Sequence, residues 1–507
     1  MKRCFIFILI ALSSISIAQK PLVFTVQMEP AMNVQELRVY LNWKSITSRN
    51  NELVKEHLSI IDLNNNKIII PAIIDTDRNG IPEGIYFATP FDRSESIRTF
   101  ALKQNKSISN KIDNLVPVNY KVLVTYLTDA KSYMVSHGDI KSWTEIIANT
   151  FLNIYPNPAD LEIFSKGKWG YTNGFFLNAL SIYYETTKNS AYLNYIKHWV
   201  NLFINENGEF DTLKFKRANY ELDNILPGRL LLFLHQQTGD QKYAKAAEML
   251  IDQLNNQPRT IEGGFWHKKI YPNQMWLDGI YMADVYLAQY AAAFNQPKYF
   301  DEAVKQMELI YTHTLDTKTG LLYHGWDESK NKVWADPKSG ASPEFWGRAL
   351  GWYIMALVDG LDYFPVDHPE RNKLLQIFKN LSSALAKYQD TTSGLWYQVV
   401  DKGYMPGNWF ESSGSAMFAY AFAKGVQKGY LGSEFRPKAL KAFNGLVDHE
   451  VYFDDQGKIY LNGTVKVGTL NLKVSKGNYE YYIGVDRRIN DFKGVAAFFY
   501  LALVLGK

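Results

Sequence analysis

The chain has 507 residues, 47% of them hydrophobic and 15% aromatic, which excludes a disordered or fibrous protein and suffices for more than one large core. Lys and Arg total 55 against 51 Asp and Glu, a net charge of +4, so no basic face for nucleic acid is implied. At the N-terminus, Lys2 and Arg3 precede an apolar run from Phe5 to Leu12, followed by small residues with Ser16 and Ala18 at cleavage positions. That is the pattern of an export signal over residues 1–18. The one cysteine, Cys4, would leave with it, so the expected mature chain has no thiol for disulfides, thiolate catalysis or a Cys-ligated metal. Export without disulfides fits a bacterial periplasmic or secreted protein. No later stretch reaches about 18 uncharged apolar residues, so no membrane span is expected.

Residues 19–130 read as short alternating or β-branched runs, LVFTVQM, ELRVYLNW, KIIIPAIID, GIYFAT and YKVLVTYL, separated by turn signals. They predict a small all-β domain. Within it, Asp75-Thr76-Asp77-Arg78-Asn79-Gly80 resembles the opening of a calcium loop, but the twelfth position is Tyr86 where a Glu ligand is required. An Asn-Gly turn between two strands and a weakly held ion both fit that segment.

From 131 to 507 the texture is helical. The segments ETTKNSAYLNYIKHWV, QQTGDQKYAKAAEMLI and AAFNQPKYFDEAVKQMELI each place a polar turn before a Tyr that opens an amphipathic helix: Tyr192, Tyr243 and Tyr299. Looser copies follow, giving a repeat of roughly 50 to 70 residues, each one helix hairpin long. The helix before each turn is apolar nearly all round, as in IYMADVYLAQYAAAF and SAMFAYAFAKGV, and that is what burial on both sides requires. The predicted fold class is therefore mainly α, an (α/α)6 toroid of six helical hairpins behind the small all-β domain.

Residues with chemistry collect just before the all-apolar helices, at 168–174, 220–228, 267–279, 345–352 and 408–417. If all inner helices run the same way, these segments meet at one mouth lined by Trp, Tyr, Arg, His and Asp. Aromatic faces with a few charged donors suit a carbohydrate. Asp223 and Asp278 are the candidate acid/base pair. Each also fits a plainer role, Asp223 capping the helix near Pro227 and Asp278 complementing a helix dipole. Asp278 follows Met275-Trp276-Leu277, and apolar company favours the neutral acid that proton donation needs. Arg348, between Trp346 and Trp352, is either a bidentate receptor for a sugar carboxylate or a bridge between helices. His267 and His324 are pocket or core histidines, and two isolated His make no metal spacing. The sequence has no Walker loop, GxSxG or dinucleotide fingerprint. No cofactor and no metal site are expected.

The segments GGFWHKKIYPNQMWLDGIYMADVYLAQYA, FWGRALGWYIMALVDGLDYFP, ESSGSAMFAYAFAKG and the closing YEYYIG and NDFKGVAAFFYLA resemble the unsaturated rhamnogalacturonyl hydrolases of glycoside hydrolase family 105, over residues 142 to the end. Family 88, the unsaturated glucuronyl hydrolases, is the close relative. The resemblance implies an (α/α)6 barrel that takes an acidic oligosaccharide and removes a 4,5-unsaturated galacturonic acid from its non-reducing end by hydrating the double bond. It implies that Asp278 is the acid and that Asp223 holds the reacting ring or water. It places His267, His324, Arg348, Trp352 and Tyr171 along the pocket, and Lys268, as another positive charge near the uronate, Trp346 and Trp276 are the further expected substrate-binding residues. One departure is Leu350, where the family often has Asn, in the aglycone region. A family 88 type activity, a non-catalytic glycan-binding protein and a sugar isomerase on the same toroid are the other readings. Nothing in the sequence specifies an oligomer.

Overall fold

The computed structural model describes residues 21–28, 36–51, 53–75, 82–90, 97–105, 110, 112–113, 122–129, 140–162, 165–454, 458–471 and 475–506. The expected export signal over residues 1–18, residues 76–80 of the calcium-like segment and the predicted boundary at 130–131 lie outside these. The chain divides into two units, Met1–Asp92 with Thr99–Tyr126, and Arg93–Arg98 with Leu127–Lys507.

The first unit is built from β-branched and aromatic runs that pair in two sheets. Its elements in order are β1 (Leu22–Met28), β2 (Glu36–Asn42), α1 (Trp43–Thr47), β3 (Leu58–Asp62), β4 (Lys67–Ile69), β5 (Ala72–Ile74), β6 (Gly84–Pro90), β7 (Ile97–Gln104), β8 (Ile112–Asp113) and β9 (Val122–Asp129). One sheet runs β2-β6-β5-β8, and in the other β1, β7, β3 and β4 are successive neighbours. Register sets Val39 opposite Phe87 and Ile73 opposite Ile85 in the first, and Ile60 opposite Leu102 in the second. The inner faces meet through Phe24, Phe87 and Phe100, with ring centroids 5.1 to 6.2 Å apart. The run KIIIPAIID divides between β4 and β5 because Pro71 has no N–H to give to a ladder.

The second unit starts with α2 (Ile140–Ile154). Five pairs follow: α3 (Tyr171–Thr187) with α4 (Ser190–Asn201), α5 (Gly228–Thr238) with α6 (Gln241–Asn255), α7 (Leu277–Phe294) with α8 (Lys298–Thr314), α9 (Gly347–Gly360) with α10 (Arg371–Ala386), and α11 (Ser412–Gln427) with α12 (Phe435–His449). A short α13 (Tyr479–Gly484) and the final α14 (Phe492–Leu505) complete it. Each polar turn has a stereochemical reason. Lys188, Gly239 and Asn295 end their helices in the left-handed region, and Asn189 and Asp240 then cap the next helix by accepting from Ala191 and Lys242 N–H. The repeated tyrosines lock outer helices together: Tyr243 Oη donates to Asn201 Oδ1 at 3.1 Å, and Asn255 Nδ2 donates to Tyr299 Oη at 3.3 Å.

The inner helices follow one another around a closed ring, α3-α5-α7-α9-α11-α14 and back to α3, each backed by an outer helix. Every residue of α9 and of α14 is buried, which is why these segments read as apolar all round. Burying each large apolar side chain contributes about 2 kcal/mol, so the ring dominates stability. The sixth pair is not a sequential hairpin. The first helix, α2, packs on the last, α14, so the toroid closes only when its two chain ends meet. Among the described residues, no helix is long and apolar enough to cross a membrane.

Candidate active site

The segments before the inner helices meet at one mouth, positioned by short backbone pairings. Strand β10 (Gln274–Trp276) pairs antiparallel with β11 (Gly325–Asp327), and Leu277 N–H donates to the His324 carbonyl at 3.0 Å. This puts Asp278, in the first turn of α7, beside His324, whose Nε2 lies 3.1 Å from Asp278 Oδ2. A second pairing, Glu221 with Lys268, fixes the single turn Leu222–Asn224 against the loop before α7. Asp223 therefore caps no helix with its side chain. Its Oδ2 takes an ion pair from Lys268 at 2.7 Å, and its Oδ1 lies 3.6 Å from His267 Nε2. Gly279 fits closely beside Asp278, because a Cβ there would stand 3.0 Å from the Leu222 side chain and 3.2 Å from His267 Nδ1, and both would have to give way.

The two carboxylates sit in unlike surroundings. Burial works to raise Asp223, but Lys268 and His267 outweigh it and hold the carboxyl below its ordinary value. Burial likewise works to lower Lys268, and Asp223 and Glu221 keep it charged. His267 is pushed down to about 4 by burial, so it is neutral near pH 7, and it feels both Asp223 and Asp278. Asp278 has an apolar approach, with Met275, Trp276 and Leu277 all buried, yet its side chain faces a polar partner in His324, which apolar company alone did not indicate. Tyr171, at the first position of α3, is raised by burial and by Asp223 and keeps its hydroxyl proton.

Rings connect these groups. His267 stacks on Trp276 at 4.5 Å, Trp276 meets His324 edge-on at 5.5 Å, and His324 packs on Trp346 at 4.8 Å. Arg348 lies 5.8 Å from the Trp346 ring. Its Nε donates to Ser413 Oγ at 2.8 Å, and Nη2 donates to Glu411 Oε1 at 3.5 Å and to the Val465 carbonyl. Nη1 is buried without a hydrogen-bond partner among the described residues. Arg348 is thus both a bridge from α9 to α11 and a guanidinium with one arm left over. Trp352 does not flank it. One turn further along α9, Trp352 is 1% exposed and lies under the mouth against Tyr171 at 6.1 Å, Phe175 at 4.7 Å and Tyr281 at 5.1 Å. Leu350, the departure from the family pattern, has no exposed surface.

Four residues of the site had no assigned role in the sequence reading. Tyr482 Oη stands 2.7 Å from His324 Nδ1, so the ring that meets Asp278 is held on its far side. Glu411 is 1% exposed and accepts from Ser413 and Val465 N–H besides Arg348. Asp491 caps α14 and pairs with Lys493 at 2.7 Å, and Lys493 bears electrostatically on Asp223 and Arg348. Their segments, NWFESSGSAM, YEYYIG and NDFKGVAAFF, stood out in the sequence, but the partners are up to 158 positions away.

Residues 143–504 match the family described as Glycosyl Hydrolase Family 88. A solved family 105 glycoside hydrolase of C. acetobutylicum is 38% identical with a TM-score of 0.68, covering 71% of this chain and 98% of that one. A protein of Agrobacterium fabrum is 36% identical over 214 residues, 41% of this chain and 91% of its own length. The unsaturated rhamnogalacturonyl hydrolase YesR of Bacillus subtilis (strain 168) is 29% identical over 315 residues, 61% of this chain and 82% of its own.

Proposed function

The chain belongs to Glycosyl Hydrolase Family 88, with a family 105 enzyme among its structural neighbours, and from that premise we propose that it removes 4,5-unsaturated galacturonic acid from lyase-generated pectin fragments. The observation that carries the reading is the pair of carboxylates at one mouth, Asp223 ion-paired with Lys268 at 2.7 Å and Asp278 3.1 Å from His324 Nε2. In this reading Asp278 gives its proton to C4 of the vinyl ether. Water adds at C5 and its proton returns to the Asp278 carboxylate. The hemiketal formed at C5 then opens, the C5–O5 bond breaks to a ketone, and the freed C1 hemiacetal expels the remaining oligosaccharide as an alcohol. Asp223 orients the ring or the water as a fixed anion, and Arg348, whose buried Nη1 has no hydrogen-bond partner among the described residues, supplies the positive charge toward the uronate carboxylate. Because the bond chemistry is at the alkene, the rule relating carboxylate separation to stereochemical outcome does not apply.

The test is the ultraviolet absorbance of the conjugated double bond in lyase-generated rhamnogalacturonan disaccharide, followed beside a fragment ending in unsaturated glucuronic acid. Loss of absorbance with the galacturonyl fragment is expected. Loss with the glucuronyl fragment alone would move the assignment to glucuronyl ends, and no loss with either would leave a glycan-binding protein.

Tyr482 acts in this reading as a positioning residue. Tyr482→Phe removes the bond to His324 Nδ1, so kcat is expected to fall about tenfold with little change in KM and with a shifted acidic limb of the pH profile. A variant that loses thermal stability while keeping kcat and the pH profile would show a purely structural tyrosine.

A further inference from the structure

A second cavity, about 450 Å³ in volume, is lined by the inner helices, mostly by their C-terminal halves, with Arg229 from the first turn of α5. An aromatic layer separates it from the mouth already described. Tyr281 stacks on Trp352 at 5.1 Å, and Phe175 stacks on Tyr500 at 5.1 Å while meeting Trp352 edge-on at 4.7 Å. Tyr281 turns its hydroxyl away from the mouth, donating to Asp359 at 3.0 Å and accepting from Arg229 at 3.2 Å.

The charges along this cavity are already matched. Asp359 accepts from Lys424 at 2.6 Å and from Tyr420 at 2.7 Å, with Arg229 3.8 Å away. Lys424 also reaches Asp362 at 2.6 Å, and Lys428 pairs with Asp362 at 2.7 Å. Every one of these cations therefore has its carboxylate, and the remaining lining carboxylate, Glu185, pairs with Lys188 and accepts from Gln237, so among the described residues no unpaired charge selects an ionic ligand. A buried ion cluster alone needs no open volume beside it, whereas this space is many times the roughly 30 Å³ share of one water. Amides and rings, among them Asn178, Gln289 and Gln427 with Phe233 and Tyr363, share the lining with the Ser181 hydroxyl and with aliphatic side chains such as Ile182 and Leu503. Asn178 spends its Nδ2 on the Gly174 carbonyl and Gln289 its Oε1 on Arg229, which leaves an amide oxygen and an amide nitrogen for a ligand. Paired polar groups, amides and aromatic edges are the chemistry that takes hydroxyls and sugar C–H faces together.

We propose that this cavity is a second saccharide site, which takes a neutral mono- or disaccharide independently of the hydrolytic mouth. Such a site would hold the protein on the neutral sugars of a polysaccharide while the mouth works on acidic ends.

The test is calorimetric titration of the full chain with L-rhamnose, D-galactose and D-galactobiose, with sodium sulfate as an ionic probe. One or more of the sugars is expected to bind with Kd about 1 mM, and equally well in Asp278→Asn whose mouth is saturated with the unsaturated disaccharide. Gln289→Ala and Tyr363→Ala, both at half-buried positions, should weaken sugar binding at least about tenfold while leaving double-bond hydration and the melting temperature near wild type. Absence of binding by all three sugars, competition with the acidic disaccharide, unchanged binding in both variants, or sulfate binding that the variants abolish in place of sugar binding would each overturn the proposal.

Discussion

Asp278→Asn is expected to lower kcat for loss of the double bond by about 10³-fold, the scale of a missing general acid, with KM and fold nearly unchanged. The substitution replaces one oxygen by nitrogen at constant volume, and Asn can still meet His324 Nε2 at the 3.1 Å now spanned by Oδ2. The backbone that places it is independent of the side chain, because Leu277 N–H is bound to the His324 carbonyl and β10 is paired with β11. What is lost is the proton that C4 must receive. Asp223 does not substitute for it, since Lys268 holds that carboxyl below its ordinary value. His267, neutral near pH 7 through burial, is a poor donor as well. The measurement is ultraviolet absorbance under single-turnover conditions, paired with a melting curve. Wild-type rates in Asp278→Asn would remove this residue from the mechanism.

Arg348→Ala is expected to raise KM for uronate-ended substrates by about 10- to 100-fold, the value of a charge-assisted contact of about 1.5–3 kcal/mol. It should also cost about 3 kcal/mol of stability, because Glu411 is buried and loses its cation. Ser413 and Val465 N–H still bind Glu411, which keeps the start of α11 in place. Arg348→Lys separates the two effects: it retains a charge for Glu411 but not the planar fork whose Nη1 is left for a ligand. The comparison to make is kcat/KM on the acidic disaccharide and on its carboxyl-reduced analogue. Selective loss on the acidic substrate supports a carboxylate receptor, and equal loss on both would leave Arg348 as a bridge between α9 and α11.

Much of the toroid was legible in the chain because burial is recorded locally. Segments such as FKGVAAFFYLALVL and GRALGWYIMALVDG have no polar face, and in the ring they are enclosed all round. The polar turn before Tyr192, Tyr243 and Tyr299 was legible for the same reason: left-handed residues, caps and the tyrosine that follows lie within a few positions of each other. The place of Trp352 was not. In sequence Arg348 stands between Trp346 and Trp352, but Arg348 meets Glu411 while Trp352 packs against the Phe175 and Tyr281 rings.

By itself the sequence determined the elements, their inner or outer rank and the five segments that carry chemistry, since helix periodicity, capping and turn residues act over a few positions. Which side chains became partners was decided only by tertiary structure. Asp278 meets His324 across 46 positions, His324 meets Tyr482 across 158, and Arg348 meets Ser413 across 65. Those pairings exist because β10 lies against β11 and α9 against α11, and such packing is set by the crossing geometry of neighbouring helices rather than by any local pattern.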